Sequence, residues 1–243
     1  MIIVLGTMGS DNFPKPEIQA VVNATNLFDE KFILVGDVNL IEPMFKSMTT
    51  KNLPVEFVNA PEVIEMWDKP VESVRKKPNN SIAVGIRLLK EKKGDVFITA
   101  GNTGGAMFNA LRILGRLKGI QRPALPAIFP TKNGKCIVLD VGANVDCRPD
   151  FLFQFSIMGN IYAKILFGIE NPRIGLLSNG EEPGKGNQLI KTTYSLLEKS
   201  ELNFIGNVEG KELFGGKADV VVTDGFTGNI LLKSSEAIAK LIT

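Results

Sequence analysis

The chain has 243 residues, 44% hydrophobic and 22% charged, the balance of an ordinary globular protein, with no run of about 18 to 20 apolar residues for a bilayer crossing. A formal net charge of +2 leaves no basic excess to hold nucleic acid. The absence of histidine removes Ser-His and Cys-His relays and histidine-ligated metals, so acid–base and electrostatic work falls to Lys, Arg, Asp, Glu, Asn, Thr and backbone amides.

In chain order, "IIVL" (2–5) reads as a strand that runs into the turn "GTMGSDNFP" and then a helix over 15–27. No charged-then-apolar leader precedes it, which sets a cytoplasmic location as the expectation. "FILV" (32–35) and "VEFV" (55–58) are strands on either side of a helix over 38–48. The segment 60–80, with three prolines, the single tryptophan and the cluster Arg75, Lys76, Lys77, breaks the rhythm. It reads as an irregular surface connection or as a mobile border to a cleft. A helix over 80–93, the strand "VFIT" (96–99) and a helix over 104–117 follow. The second half continues with strands at 136–141, 173–177, 203–206 and 219–223 and helices at 150–167, 187–199 and 227–242. Continuous Val/Ile/Leu runs suit parallel strands buried on both faces. Their alternation with helices predicts a three-layer α/β fold, a mostly parallel sheet with helices on both faces, as one unit over 1–243. Cys136 and Cys147 fit neither a disulfide framework nor a zinc spacing, and Cys147 has no base beside it to make it a nucleophile.

Polar, glycine-rich loops gather at the carboxyl ends of these strands, the edge where open α/β sheets bind ligands. They are "GTMGSDNFP", "AGNTGG", "DVGANVDCRPD", "SNGEEPGKGN" and "TDGFTGN". Glycine lets backbone N–H groups close on a ligand, and the helix N-termini that follow add positive partial charge. Asn102, Thr103, Asn144, Thr227 and Asn229 can donate hydrogen bonds without net charge, and Lys185 brings a cation into one loop. The pattern predicts a site for phosphate or for a carbonyl oxygen that becomes an anion. Asp11, Asp140, Asp146 and Asp224 lie in or beside these loops, either as Asx-turns and helix caps or as groups that orient the lysine or a substrate.

Taken together, "MGSDNFP", "AGNTGG", "KGIQRPAL", "LDVGANVD", "FSIMGN", "NPRIGLLSNGEEPGKGN", "NFIGNVEG" and "DVVVTDGFTGN" closely resemble, in order and over the whole chain, the phosphate acyltransferase family of bacterial phospholipid synthesis. The resemblance implies transfer of a long acyl chain from acyl carrier protein to inorganic phosphate, giving an acyl phosphate, with no cofactor. It also implies a fold similar to phosphotransacetylases and isocitrate dehydrogenases, commonly as a homodimer. Three departures stand out: Gly6 where the family usually has Asp, Ser10 where it has Gly, and Asn12 where it has His. The chain also stops soon after "TDGFTGN", whereas the family continues into an apolar element that touches membrane and helps dimerise.

Phosphate is itself the nucleophile in such a reaction, so positioning and oxyanion stabilisation carry the catalysis. Lys185, Asn102 and Asp146 are the expected catalytic residues, with the lysine in the family motif at Lys185, Gly186 and Asn187. Gly9, Asp11, Thr103, Gly104, Asn144, Gly186, Asn187, Asp224, Thr227, Gly228 and Asn229 are expected to bind substrate, and Asp146 and Asp224 to hold the lysine or the loops. Arg112 and Arg116, four apart on one helical face with Lys118 and Arg122 behind, form an expected docking patch for the acidic carrier protein. Two alternatives stay open: an enzyme using short acyl-CoA, and a non-catalytic module that binds the carrier or an acyl ligand.

Overall fold

The computed structural model of the chain describes residues 1–242. Its first compact unit, Met1–Gly115, contains β1 (Ile2–Gly6), α1 (Lys15–Ala24), β2 (Lys31–Gly36), α2 (Val38–Met48), β3 (Val55–Asn59), α3 (Pro70–Lys76), α4 (Ser81–Lys90), β4 (Val96–Thr99) and α5 (Thr103–Ile113). The strands are parallel in the order β3-β2-β1-β4. Phe32 and Leu34 of β2 join one core cluster with Ile18, Val21 and Ile41 of the helices, while Ile33 and Val35 join Val4 and Leu88 in another. Successive side chains therefore enter opposite layers, which is why the run "FILV" carries no polar position.

The second unit begins at Arg116 and contains β5 (Pro126–Thr131), β6 (Gly134–Leu139), α6 (Pro149–Phe167), β7 (Ile174–Leu177), α7 (Gln188–Leu197), β8 (Phe204–Val208), α8 (Gly210–Gly215), β9 (Val220–Val222) and α9 (Gly225–Ile242). Its sheet runs β5-β6-β9-β7-β8, parallel except for the β5–β6 hairpin. Ile137, Leu139, Val220 and Val222 pack with Phe151, Leu152 and Phe155 of α6, whereas Cys136, Val138 and Val221 pack with Leu213 and Leu231 on the other face. Each fully buried side chain of this kind contributes roughly 1.5–3 kcal/mol. Gly159 lets α6 approach closely, because a Cβ there would stand 2.4 Å from Val220 Cγ1. Within each unit the expected α/β layering holds. No helix among the described residues is long and apolar enough to cross a membrane.

Several expectations need correction. The reading of 1–243 as one unit meets a chain whose contacts divide it into two, each with its own sheet. The edge strand β5 escaped the pattern because Pro126 and Pro130 disfavour a strand, and prolines are tolerated at a sheet edge. Segment 60–80 is not irregular throughout. It contains α3, which starts with Pro70 as the first helical residue, and the ion pair of Lys77 with Asp68 at 2.7 Å. The helix expected over 104–117 ends at Ile113, and Gly115 turns left-handed with φ 83°. Arg112 and Arg116 therefore do not share a helical face.

Candidate functional site

In the first unit the strand order switches direction between β1 and β4, and the loops after these two strands flank that point. Thr7, wholly buried, donates its hydroxyl to Val35 O at 3.0 Å. Gly9 has φ 93°, and a Cβ there would lie 2.3 Å from Ile64 O, so this glycine serves a tight turn against segment 60–80. Ser10 donates to Glu17 Oε1 at 2.5 Å, while Asp11 is exposed. Gly6 is buried, and a Cβ would meet Phe97 Cζ at 3.1 Å, so the carboxylate usual in the resembled family would crowd an aromatic ring here.

Asn102 is buried and turned inward. Its Oδ1 accepts from Gly105 N at 2.9 Å and caps α5, while its Nδ2 donates to Glu65 O, Met66 O and Asp68 O at 3.1 to 3.2 Å. Its side-chain donors are thereby engaged within the fold, and of the first amides of α5, which a helix leaves without internal partners, Gly105 N is taken by Asn102 itself. Thr103 is exposed there, and Gly104 lies against Pro70, where a Cβ would come within 2.6 Å of Cγ.

In the second unit β6, β9 and β7 are neighbours, so their carboxyl-end loops lie side by side. Asp140 is wholly buried and organises the first of them. Its Oδ1 accepts from Leu125 N, Gly142 N and Ala143 N at 3.0 to 3.1 Å, and its Oδ2 from Asn144 N at 2.7 Å and Asn144 Nδ2 at 2.8 Å. Asn144 Nδ2 also donates to Pro123 O at 2.7 Å, which engages both amide hydrogens. Asn144, like Asn102, holds a loop rather than offering a side-chain donor.

The start of α9 packs onto that loop. Gly225 N donates to Asn144 O at 2.7 Å, and a Cβ at Gly228 would fall 1.9 Å from Asp140 O. Gly228 N donates to Asp224 O at 2.9 Å, so this glycine is required for close approach and its amide is engaged within the helix. Asp224 accepts from Thr227 N and Thr227 Oγ1, both at 2.8 Å, and so caps α9. Asn229 is exposed and lies near Gly142.

The loop between β7 and α7 carries the lysine. Asn179 Oδ1 accepts from Gly186 N at 2.9 Å, Lys185 N donates to Glu182 O at 3.0 Å, and Asn187 caps α7 through Ile190 N at 3.0 Å. Gly186 has φ 91°. The stem of Lys185 lies over Gly180, where a Cβ would stand 2.8 Å from Cγ. Lys185 is exposed, and among the described residues its ammonium makes neither ion pair nor hydrogen bond. Asp146 is also exposed, and neither it nor Asp224 pairs with the lysine.

Two adjoining hollows open on these loops. A pocket of about 400 Å³ is lined by Asp146, Cys147, Asn187, Asp224, Phe226 and Thr227, among others. A cleft of about 760 Å³ shares Asn187, Asp224 and Thr227 with it and continues along α9. Thr223, which lines the cleft, was missed by sequence reasoning. It is 1% exposed, and its hydroxyl has no partner among the described residues. Only its place before the capping Asp224 could have signalled it.

Burial pushes the Cys147 thiol up to about 11, with the Gly225 amide pulling the other way and Asp140, Asp224 and Asp146 adding to the rise. A thiol this weakly acidic is expected to alkylate slowly at pH 8, where about 0.1% is thiolate. Its rate should climb about tenfold per pH unit until the thiol titrates, and iodoacetamide labelling followed by mass spectrometry measures it. Fast labelling at pH 7 would contradict this environment. Of the expected docking residues, Arg112 belongs to the first unit, where it approaches Val74 O at 3.5 Å. Arg116, Lys118 and Arg122 begin the second. Arg116 bonds to Gln121 O, and Arg122 lies over the Phe151 ring at 5.8 Å.

The sequence matches the family profile described as fatty acid synthesis protein over residues 1–243. Curated relatives named phosphate acyltransferase include that of Herpetosiphon aurantiacus, 46% identical, with 100% of this chain and 67% of the relative covered. That of Acetivibrio thermocellus is 47% identical, covering 97% and 70%. Among solved structures, a phosphotransacetylase from Streptococcus pyogenes superposes with a TM-score of 0.73 at 16% identity, covering 99% of this chain and 82% of that one. A branched-chain phosphotransacylase from Enterococcus faecalis gives 0.65 at 19%, covering 96% and 83%. These two likenesses show the fold.

Proposed function

This chain belongs to the fatty acid synthesis protein family and is a phosphate acyltransferase, and from that premise we propose that its acyl donor is the thioester of a long-chain acyl carrier protein. A phosphate oxygen attacks the thioester carbonyl carbon, the carbon–sulfur bond breaks, and the carrier leaves as a thiolate that takes up a proton. The product is an acyl phosphate. The observation that carries the site assignment is Lys185, a cation without a protein partner among the described residues, on a loop that ends at the N-terminus of α7.

Phosphate brings two negative charges toward a pocket rim that already holds Asp146 and Asp224. At an effective dielectric of about 20, one like-charge pair at 4 Å costs about 4 kcal/mol. Lys185 and the amides at the start of α7 offset that repulsion and receive the oxyanion as it forms. Asp224 acts by fixing Thr227 and the start of α9, and Asp140 by fixing the loop at Asn144. The weakly acidic Cys147 supports direct attack by phosphate without an acyl-enzyme.

Arg116 and Lys118, both exposed, are the docking residues for the acidic carrier. A homodimer is part of the same reading, supported by the apolar side chains that α6 leaves exposed at Ile161, Ile165 and Leu166. Peripheral membrane contact has the exposed Ile238, Leu241 and Ile242 of α9 in its support. The donor assignment is tested by reversing charge at Arg116 and Lys118 and comparing carrier-bound and CoA-bound thioesters of one acyl chain. The carrier KM should rise at least about tenfold at low salt, and the gap should close as salt screens the encounter, with little change for CoA. Equal effects on both donors, or a parent enzyme that prefers CoA, would overturn it.

A further inference from the structure

We propose that the 760 Å³ cleft holds the fatty tail of the acyl donor, its carbonyl end at Thr223 and Thr227 and its tail running along α9, with Ile230 and Ser234 limiting chain length. This rests on the acyltransferase reading and adds to it a place for the tail.

The size lies within the roughly 300–1,000 Å³ of small-molecule sites. Leu177 at the end of β7, Ile190 in α7, and Ile230 and Leu231 in α9 supply its apolar walls. Among the described lining residues the one charged side chain is Asp224, and both of its oxygens already accept from Thr227. A charged ligand would find no counter-charge here, whereas an apolar chain would exchange water for aliphatic contact.

The direction of the tail follows from helix geometry. Thr227, Ile230, Leu231 and Ser234 all line the cleft and stand at i, i+3, i+4 and i+7, one face of α9. Seven residues of helix span about 10 Å, so Thr227 and Ser234 mark two ends of a trough. The Thr227 end adjoins the polar pocket through shared Asn187 and Asp224. It also holds Thr223, whose buried hydroxyl lacks a partner among the described residues. A polar end with an unsatisfied donor and an apolar trough beyond it match a molecule with one acceptor at the head of a hydrocarbon chain. Ile230, half exposed, is the wall such a chain would cover.

Ser234→Phe tests the placement, because Ser234 is exposed and an aromatic ring there narrows the far end without loading the core. The ratio of kcat/KM for a 16-carbon over an 8-carbon acyl carrier donor is expected to fall at least about tenfold against the parent. An unchanged ratio, or an equal loss for both lengths, overturns the proposal. Calorimetric binding of a 16-carbon fatty acid to the parent, Ser234→Phe and Ile230→Lys proteins gives a second readout independent of turnover. Weaker binding in both variants supports the cleft even if the parent transferred no acyl group, which would refute the acyltransferase reading alone. Equal binding in all three refutes the cleft while leaving that reading intact.

Discussion

Replacing Lys185 with alanine is expected to lower turnover about 100- to 1,000-fold while leaving unfolding stability within about 0.5 kcal/mol of the parent. The two halves of this expectation have separate physical sources. Lys185 is exposed and unpaired among the described residues, so its removal costs the fold neither a buried contact nor a salt bridge. Its position is nonetheless defined, because Gly180 makes room for the stem and Asn179 ties the loop at Gly186. A cation held in place without a counter-ion lowers the energy of an anion that arrives, and more so as negative charge moves onto the carbonyl oxygen. Lys185→Arg keeps the charge but spreads it over a planar fork, and should recover only part of the rate. Nearly full turnover in a folded Lys185→Ala protein would remove the lysine from the mechanism.

Asp140 should give the largest effect on stability. Alanine there leaves four backbone N–H groups and the Asn144 amide without their acceptor. Each unsatisfied buried donor costs roughly 1–3 kcal/mol, although loosening of the loop would admit water to some of them. A loss of about 3 kcal/mol or more is therefore expected, read from the denaturant midpoint at unchanged slope. Asp140→Asn separates charge and geometry from mere volume. It keeps an acceptor for Leu125, Gly142 and Ala143 but can turn an NH₂ group toward the two Asn144 donors, and its loss should fall between parent and alanine. Turnover should drop in the same order, because the 140–144 loop seats Gly225 and Gly228 at the start of α9. Parent-like stability in both variants would mean that the loop holds itself without the carboxylate.

Strands and their loops were legible because burial on both faces demands unbroken Val/Ile/Leu runs, such as "FILV" and "DVVVT", and because loops that approach a ligand or a helix closely demand glycine. What glycine was for could not be read. Gly225 and Gly228 admit the backbone of the 140–144 loop, and Gly9 admits Ile64 O, contacts between segments far apart in sequence. The direction an amide faces was equally hidden. Asn102 and Asn144 have the composition of substrate donors, yet three carbonyls from 65–68 take one amide, and Pro123 with Asp140 takes the other. The supposed helical face at Arg112 and Arg116 failed at Gly115, whose left-handed backbone ends the helix. The cap Asp224 was readable because a short side chain before a helix has few other uses, whereas Asn187, expected to bind substrate, caps α7 through Ile190 N.

The most direct test is to incubate this chain with long-chain acyl carrier protein, with and without inorganic phosphate, and to trap acyl phosphate as the hydroxamate while following the freed carrier thiol. Acyl hydroxamate that forms only with phosphate, in step with thiol release and undiminished in Cys147→Ser, is the predicted result. Thiol release without phosphate, or carrier binding with no acyl phosphate at any phosphate concentration, would contradict direct transfer by this chain.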